Sequence, residues 1–229
     1  MSTIKTNQLA HTANGASVYT LPQTDGSAGQ VLKTDGSGNL SWTTIADTND
    51  YVKISKAVNT GSYGSQYLSF ENLDTSTYKF FNLIGYFKSQ DVDAVVFRLR
   101  FRTSNNTLAD GSVYSYAYNE KKHSNTSNCV TGENTDKIDL TGSVGYDTGE
   151  GVLLDLRVYF ADSSDPTNAE YLFNAATWQA TYREQGNAGR HTTGEGHYYS
   201  AADNLTGFSI YPHGGNMGDF SYCLYGMKR

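Results

Sequence analysis

The sequence predicts an all-β protein: an antiparallel β-sandwich, jelly-roll-like, preceded by an extended N-terminal anchor. Three observations carry this. Beyond residue 50 apolar and polar residues alternate in run after run, and strict alternation marks a half-buried antiparallel strand. Tyr and Phe number 18 and 10, while charged residues make up only 17% of the chain, against roughly 25% in an average domain. Turn residues, with 23 glycines among them, separate the alternating runs at short intervals. Strong helix formers are scarce in such a mixture, whereas β-branched and aromatic residues suit strands. An all-helical fold is excluded.

Two domains are expected, 1–50 and 51–229. In residues 1–50 the apolar residues stand alone, and no segment offers enough apolar surface for a core. The segment repeats itself ten residues apart, Thr24-Asp25-Gly26-Ser27 and then Thr34-Asp35-Gly36-Ser37. Each Asp-Gly is a tight-turn signal, because glycine accepts the positive φ that such turns need. Gln30-Val31-Leu32-Lys33 and Asn39-Leu40-Ser41-Trp42 are short extended pieces beside the second turn. A strand–turn–strand unit this small is not stable alone in water. It must dock on its own body, on a symmetry mate or on a larger assembly.

In the body, Val95, Phe97, Leu99 and Phe101 share one face of a strand and Arg98, Arg100 and Arg102 the other. Tyr114, Tyr116 and Tyr118 line one side of the next run. Val152, Leu154, Leu156, Val158 and Phe160 make a further stripe, opposed by Asp155, Arg157 and Tyr159. Additional strands are expected in 79–88, 171–173, 177–182, 207–211 and 219–225. Turn clusters separate these runs, such as Ala109-Asp110-Gly111, Asp147-Thr148-Gly149 and His213-Gly214-Gly215-Asn216. About eight strands punctuated this often read as two packed sheets. No GxGxxG, P-loop or strand–helix alternation appears.

Signals for chemistry are sparse. The histidines, His11, His123, His191, His197 and His213, lack the spacing of a metal site and read as polar residues of a Gly-rich rim. Asp162, Asp165 and Glu170 lack the calcium-loop register and read as a solvated acidic loop. Glycosidase chemistry needs two carboxylates facing each other across a cleft, and nothing in the sequence pairs them. No G-x-S-x-G elbow is present. Cys129 and Cys223, 94 positions apart, read as two reduced thiols rather than a disulfide framework. Neither an enzyme, a metal nor a cofactor is expected. Aromatic rings are the stronger signal, since they fill interfaces or stack on sugars, although most of them are expected to pack the core. Tyr198 and Tyr199, placed in a Gly-rich loop over 185–200 together with Asn187 and Arg190, are the candidate glycan-binding residues.

The net charge of −6 gives nucleic acid no electrostatic foothold. No run of 18 apolar residues crosses a membrane, residues 1–8 lack the apolar stretch of a signal peptide, and Ser2 stands where myristoylation needs glycine.

The segment from Leu21-Pro22-Gln23-Thr24-Asp25-Gly26 through Gly29-Gln30-Val31-Leu32-Lys33-Thr34-Asp35-Gly36 to Leu40-Ser41-Trp42 resembles the "LP-x-TDG-x-x-GQVL-x-TDG-x-G-x-L-x-W" segment of tailed-phage fibre and virion structural proteins. That segment is familiar from marine and cyanobacterial phages. The stretch from Phe208-Ser209-Ile210-Tyr211-Pro212 through Gly215-Asn216 to Leu224-Tyr225-Gly226 is similar to the ending of β-sandwich domains in the same viruses. Together these cover about 40 of 229 residues. The resemblance implies a homotrimeric tail fibre of the virion, assembled in the host cytoplasm. Leu21, Asp25, Gly26, Val31, Leu32, Asp35, Gly36 and Trp42 would anchor it to other virion proteins, tail or capsid, and the body would meet a host-surface polysaccharide. A head fibre or capsid decoration protein, and a polysaccharide depolymerase, remain as alternatives; the long β-helical rungs usual in depolymerases are absent.

Overall fold

The computed structural model describes residues 7–10, 18–45, 50–124, 126–161, 174–184, 188–200 and 204–228. None of these is helical. The chain divides into two units, Met1–Asn49 and Asp50–Arg229.

In the first unit β1 (Gln8–Ala10) pairs with β2 (Val18–Thr20), and β3 (Gln30–Thr34) pairs antiparallel with β4 (Leu40–Thr44). The turn between β3 and β4 is built by the second Asp-Gly. The Asp35 carboxylate accepts hydrogen bonds from the Asn39 side chain at 2.6 Å and from the Ser37 and Asn39 N–H groups at 2.8 and 3.0 Å. These donors hold its pKa below the usual carboxylate range. Gly36 takes the left-handed φ of 79° that the turn requires. The first Asp-Gly works differently. Gly26 is not among the left-handed residues; it is glycine because the Trp42 ring lies against it, 2.6 Å from where a Cβ would stand. The expected turn at Asp25-Gly26 is therefore a ring-packing site.

The second unit contains β5 (Tyr51–Asn59), β6 (Leu68–Phe70), β7 (Tyr78–Ser89), β8 (Phe97–Thr103), β9 (Tyr114–Lys122), β10 (Ser127–Thr135), β11 (Ile138–Asp139), β12 (Gly151–Tyr159), β13 (Asn174–Arg183), β14 (Gly189–Tyr198), β15 (Leu205–Pro212) and β16 (Met217–Lys228). They form two antiparallel sheets, one ordered β10-β9-β14-β13-β12-β7-β16-β5 and the other β11-β8-β15-β6. Setting aside the sequential pairs β9–β10 and β13–β14 leaves eight strands. Numbered in chain order, these run 1-8-3-6 in one sheet and 5-4-7-2 in the other, the winding of a jelly roll made from two Greek keys. The two pairs lengthen the first sheet from four strands to eight.

Between the sheets lies one apolar core. The expected stripes supply it: Phe97, Leu99 and Phe101 from β8, and Val152, Leu154, Leu156 and Val158 from β12, all essentially without solvent contact. Phe81, Leu83 and Phe87 of β7 and Phe208 and Ile210 of β15 complete it. On the outer face of the smaller sheet the three arginines of β8 each pair with a carboxylate: Arg98 with Asp139 at 2.8 Å, Arg100 with Asp110, and Arg102 with Glu71 at 2.8 Å.

The segment 189–198 corrects a sequence expectation. It forms the inner strand β14, not a loop, hydrogen-bonded to β13 on one side and β9 on the other. Gly194 and Gly196 sit where bulky neighbours fill the space: a Cβ on Gly194 would meet the Trp178 ring at 2.5 Å, and one on Gly196 the Ile138 side chain at 2.7 Å. Residues 171–173, expected as a strand, lie outside the described residues.

Candidate functional site

Strand order, more than any sequence motif, assembles a concave polar surface on the body. On the outward face of β12, β13, β14, β9 and β10, side chains from neighbouring strands stand in register. One row runs Asp155, Gln179, Thr193, Asn119, Cys129 and the next Arg157, Thr177, Glu195, Ala117, Thr131. Strands lie about 4.8 Å apart, so five of them carry each row across roughly 19 Å. All of these except Thr131 line an open trough of about 460 Å³. It continues, through the shared residues Ala117 and Glu195, into a second hollow of about 310 Å³ bounded by Ser115, Glu133, Asn134, His197 and Tyr199.

The trough combines acceptors and donors that the protein does not use itself. Asp155, Arg157, Gln179, Asn119 and Glu195 make no side-chain hydrogen bond or ion pair among the described residues. Three carboxylates, Asp155, Glu133 and Glu195, stand against one guanidinium, Arg157. In the register none of the three faces another across adjacent strands. Tyr116 lines the second hollow, and its hydroxyl donates to Asp139 Oδ2 at 2.8 Å. Burial, reinforced by that carboxylate, pushes its pKa upward and keeps it a neutral donor.

The structure separates the candidate residues that the sequence grouped. Tyr199 is exposed at the rim of the second hollow, its hydroxyl hydrogen-bonded to that of Ser115. Tyr198, the neighbouring residue, points into the core, 1% exposed, with its ring 4.7 Å from that of Tyr114 and 5.8 Å from that of Phe101. It presents nothing to a ligand. Arg190 belongs to a largely buried ionic cluster: its guanidinium pairs with Glu184 and reaches Glu120 at 3.3 Å. Glu120 also accepts the Tyr182 hydroxyl at 2.5 Å. Arg190 is a structural cation, and its pairing with Glu120 and Glu184 accounts for its place beside β9. Asn187 lies outside the described residues. Asn119, Gln179 and Glu195 were not singled out from the sequence, although their outward parity is readable once each strand is recognised.

In the first unit the anchoring candidates fall into two groups. Gly26 and Trp42 meet directly, and the Trp42 indole N–H donates to the Thr24 carbonyl at 2.8 Å. Asp35 and Gly36 make the β3–β4 turn, while Val31 and Leu32 lie on β3 with both side chains exposed. The Leu21 N–H donates to the Asn7 carbonyl at 2.9 Å. Asp25 is exposed between these elements.

Both cysteines are free thiols, and no cluster of three or more potential metal ligands occurs among the described residues. His11, Asp162, Asp165 and Glu170 lie outside them. His191 and His197 sit on β14 rather than in a rim. Comparison of the chain with family models, with curated proteins and with solved structures returns no match.

Proposed function

We propose that the chain is a bacteriophage virion protein, a homotrimeric tail fibre whose leader anchors it to the particle and whose sandwich binds host-surface glycan without cleaving it. The observation that carries this reading is the contrast between the two units. The sandwich encloses a complete core, whereas the leader leaves Leu9, Val18, Tyr19, Val31, Leu32 and Trp42 exposed on strands of three to five residues, and Ile45 exposed just beyond them. Apolar anchors spaced along short strands are surfaces waiting for a partner. The resemblance of residues 21–42 to phage structural proteins supplies the kind of partner, another virion protein.

The trough supports the recognition half. A shallow surface with ordered hydrogen-bonding groups suits a hydrated polymer better than a small molecule, which needs an enclosing pocket. Weak single contacts suffice, because many fibres acting together raise apparent affinity by about 10²–10⁴.

Deleting residues 1–49 should leave a folded sandwich that no longer enters particles. Replacing Asn119, Gln179 and Glu195 together by Ala should leave incorporation intact and reduce adsorption to host cells at least tenfold. Normal incorporation of the truncated chain would overturn the anchoring role. Normal adsorption by particles lacking the protein altogether would replace the fibre with a head fibre or capsid decoration.

A further inference from the structure

We infer that the trough ends, where β9 meets β14, in an anion site that takes a carboxylate or phosphate substituent of the bound glycan. This deepens the recognition reading by naming the class of glycan, an acidic one charged at intervals, and rests on that reading for the polymer itself.

The outward rows do not stop at the trough. One step beyond Gln179, Thr193 and Asn119, roughly 7 Å along the strands, the next row runs Thr181, His191, Lys121 and Ser127. There the surface changes sign. Lys121 and Lys122 close β9, His123 follows, and with His191 of β14 they line a third hollow, of about 330 Å³. Backbone pairing fixes its rim: the His123 N–H donates to the Gly189 carbonyl at 3.1 Å and the Lys122 N–H to the Thr126 carbonyl at 2.8 Å. The His191 ring is held between two hydroxyls, Thr181 at 3.2 Å and Thr193 at 3.0 Å.

Pairing separates these cations from the arginines of the sandwich. Arg98, Arg100, Arg102 and Arg190 each meet a carboxylate. Lys121, Lys122 and His123 make no ion pair and no side-chain hydrogen bond among the described residues. The carboxylates that adjoin this end of the sheet, Glu120 and Glu184, are both taken up by Arg190. A chain of net charge −6 thus gathers unneutralised cations at one end of a polar groove. Walls of one sign in a hollow concentrate the opposite charge there.

The acidic side chains of the trough set the spacing of charge on the ligand. Glu195 stands two rows from His191 on the same strand, and Asp155 lies three strands from β9, each roughly 14 Å or more from the basic end. An anion over Lys121 is therefore beyond their close repulsion, whereas a polymer charged at every sugar would also lie on them. A chain that alternates an anionic unit with neutral ones fits both ends. Gly189 gives independent access to the hollow. It shares the outward parity of His191, lines the hollow, and leaves open space where a Cβ would stand. A carboxylate introduced there enters the site without displacing a neighbour.

Fluorescence anisotropy with the full chain, in about 0.15 M salt, tests this on three labelled polymers. Hyaluronan alternates a carboxylate sugar with a neutral one, a glycosylated glycerol-phosphate teichoic acid alternates phosphate with sugar, and dextran is neutral. The wild type should hold hyaluronan or the teichoic acid about tenfold more tightly than dextran, and the preferred one identifies the anion as carboxylate or phosphate. Lys121→Ala with Lys122→Ala should weaken that binding about fivefold, and Gly189→Glu at least as much, both with unchanged circular dichroism. Lys53→Ala with Lys56→Ala removes the same charge from β5, at the other edge of the sheet, and should change nothing. Equal weakening by the two lysine pairs would overturn the site, because the attraction would then belong to the whole surface. No preference over dextran would overturn it too, and tighter binding of labelled single-stranded DNA would replace the glycan with nucleic acid. The recognition reading is judged apart from all of these, by adsorption of particles carrying the Asn119, Gln179 and Glu195 replacements.

Discussion

Four buried tyrosines, Tyr114, Tyr118 and Tyr182 in the core and Tyr211 beside Arg98 on the outer face of the smaller sheet, should make the protein unfold cooperatively in alkali. Burial pushes each phenol upward from the ordinary value of 10.0, Tyr118 to about 12 and the other three further. At Tyr182 the hydrogen bond donated to Glu120 adds to the effect of burial. A raised pKa means that the folded state favours the neutral phenol. The resulting stability is complete below pH 10 and is lost as pH rises toward and through the folded-state value. In that window an unfolded chain has released protons that the folded chain retains. Each group then lowers stability by about 1.4 kcal/mol per pH unit, and four together by about 5.6 kcal/mol per unit. Against a typical stability of about 5–15 kcal/mol, unfolding falls roughly one to three units above pH 10. Tyrosinate absorbance and circular dichroism, followed together, should show an early phase from solvent-facing phenols with no change in the spectrum. A later step in absorbance should coincide with loss of the spectrum. Complete ionisation near pH 10 with the fold intact would refute the reasoning, because these rings would then be open to water.

Leu156→Ala should cost about 2–5 kcal/mol, since Leu156 is buried between Leu83 and Trp178 in the sheet register, while Arg157→Ala, one residue on, should cost about 0.5 kcal/mol or less; equal losses in urea unfolding would show that the faces of β12 are reversed. Gly26→Ala should displace the Trp42 ring and remove hydrogen-exchange protection from its indole N–H, while the melting temperature of the sandwich stays unchanged. Retained protection would show that Gly26 is not a packing site.

Legibility in the sequence followed the side chains that face the core. β8 and β12 could be read directly, because Phe97, Leu99 and Phe101, and Val152, Leu154, Leu156 and Val158, face inward and alternate with outward residues that are polar except for Leu153. β14 could not, although it is as deeply embedded. Its inward positions include Thr192, Gly194 and Gly196, and the atoms that fill the core there belong to Trp178 and Ile138. A glycine opposite an aromatic ring is a strand residue in space and a loop residue in sequence. The same inversion occurs at Gly26 under Trp42. It also explains the misplacement of Tyr198, whose parity on β14 turns it inward while Tyr199 turns out. The trough was illegible for a second reason. Its rows depend on β9 lying beside β14, strands far apart in the chain, and no local pattern announces such a pairing.

The position of β16 bears on when the molecule can first exist. This strand, Met217–Lys228, lies between β5 and β7 and is the sole ladder partner of β5 among the described residues. The chain is made from its N-terminus, so the strand that follows the leader waits through the synthesis of nearly the whole body for its mate. Every fragment released early lacks that mate. Such a fragment carries a leader whose adjoining strand has no ladder, and it leaves the edge of β7 that β16 covers open. The sheet order thereby ties the first strand of the body to one of the latest to be made, and the eight-stranded sheet closes around β5 only once β16 is in place.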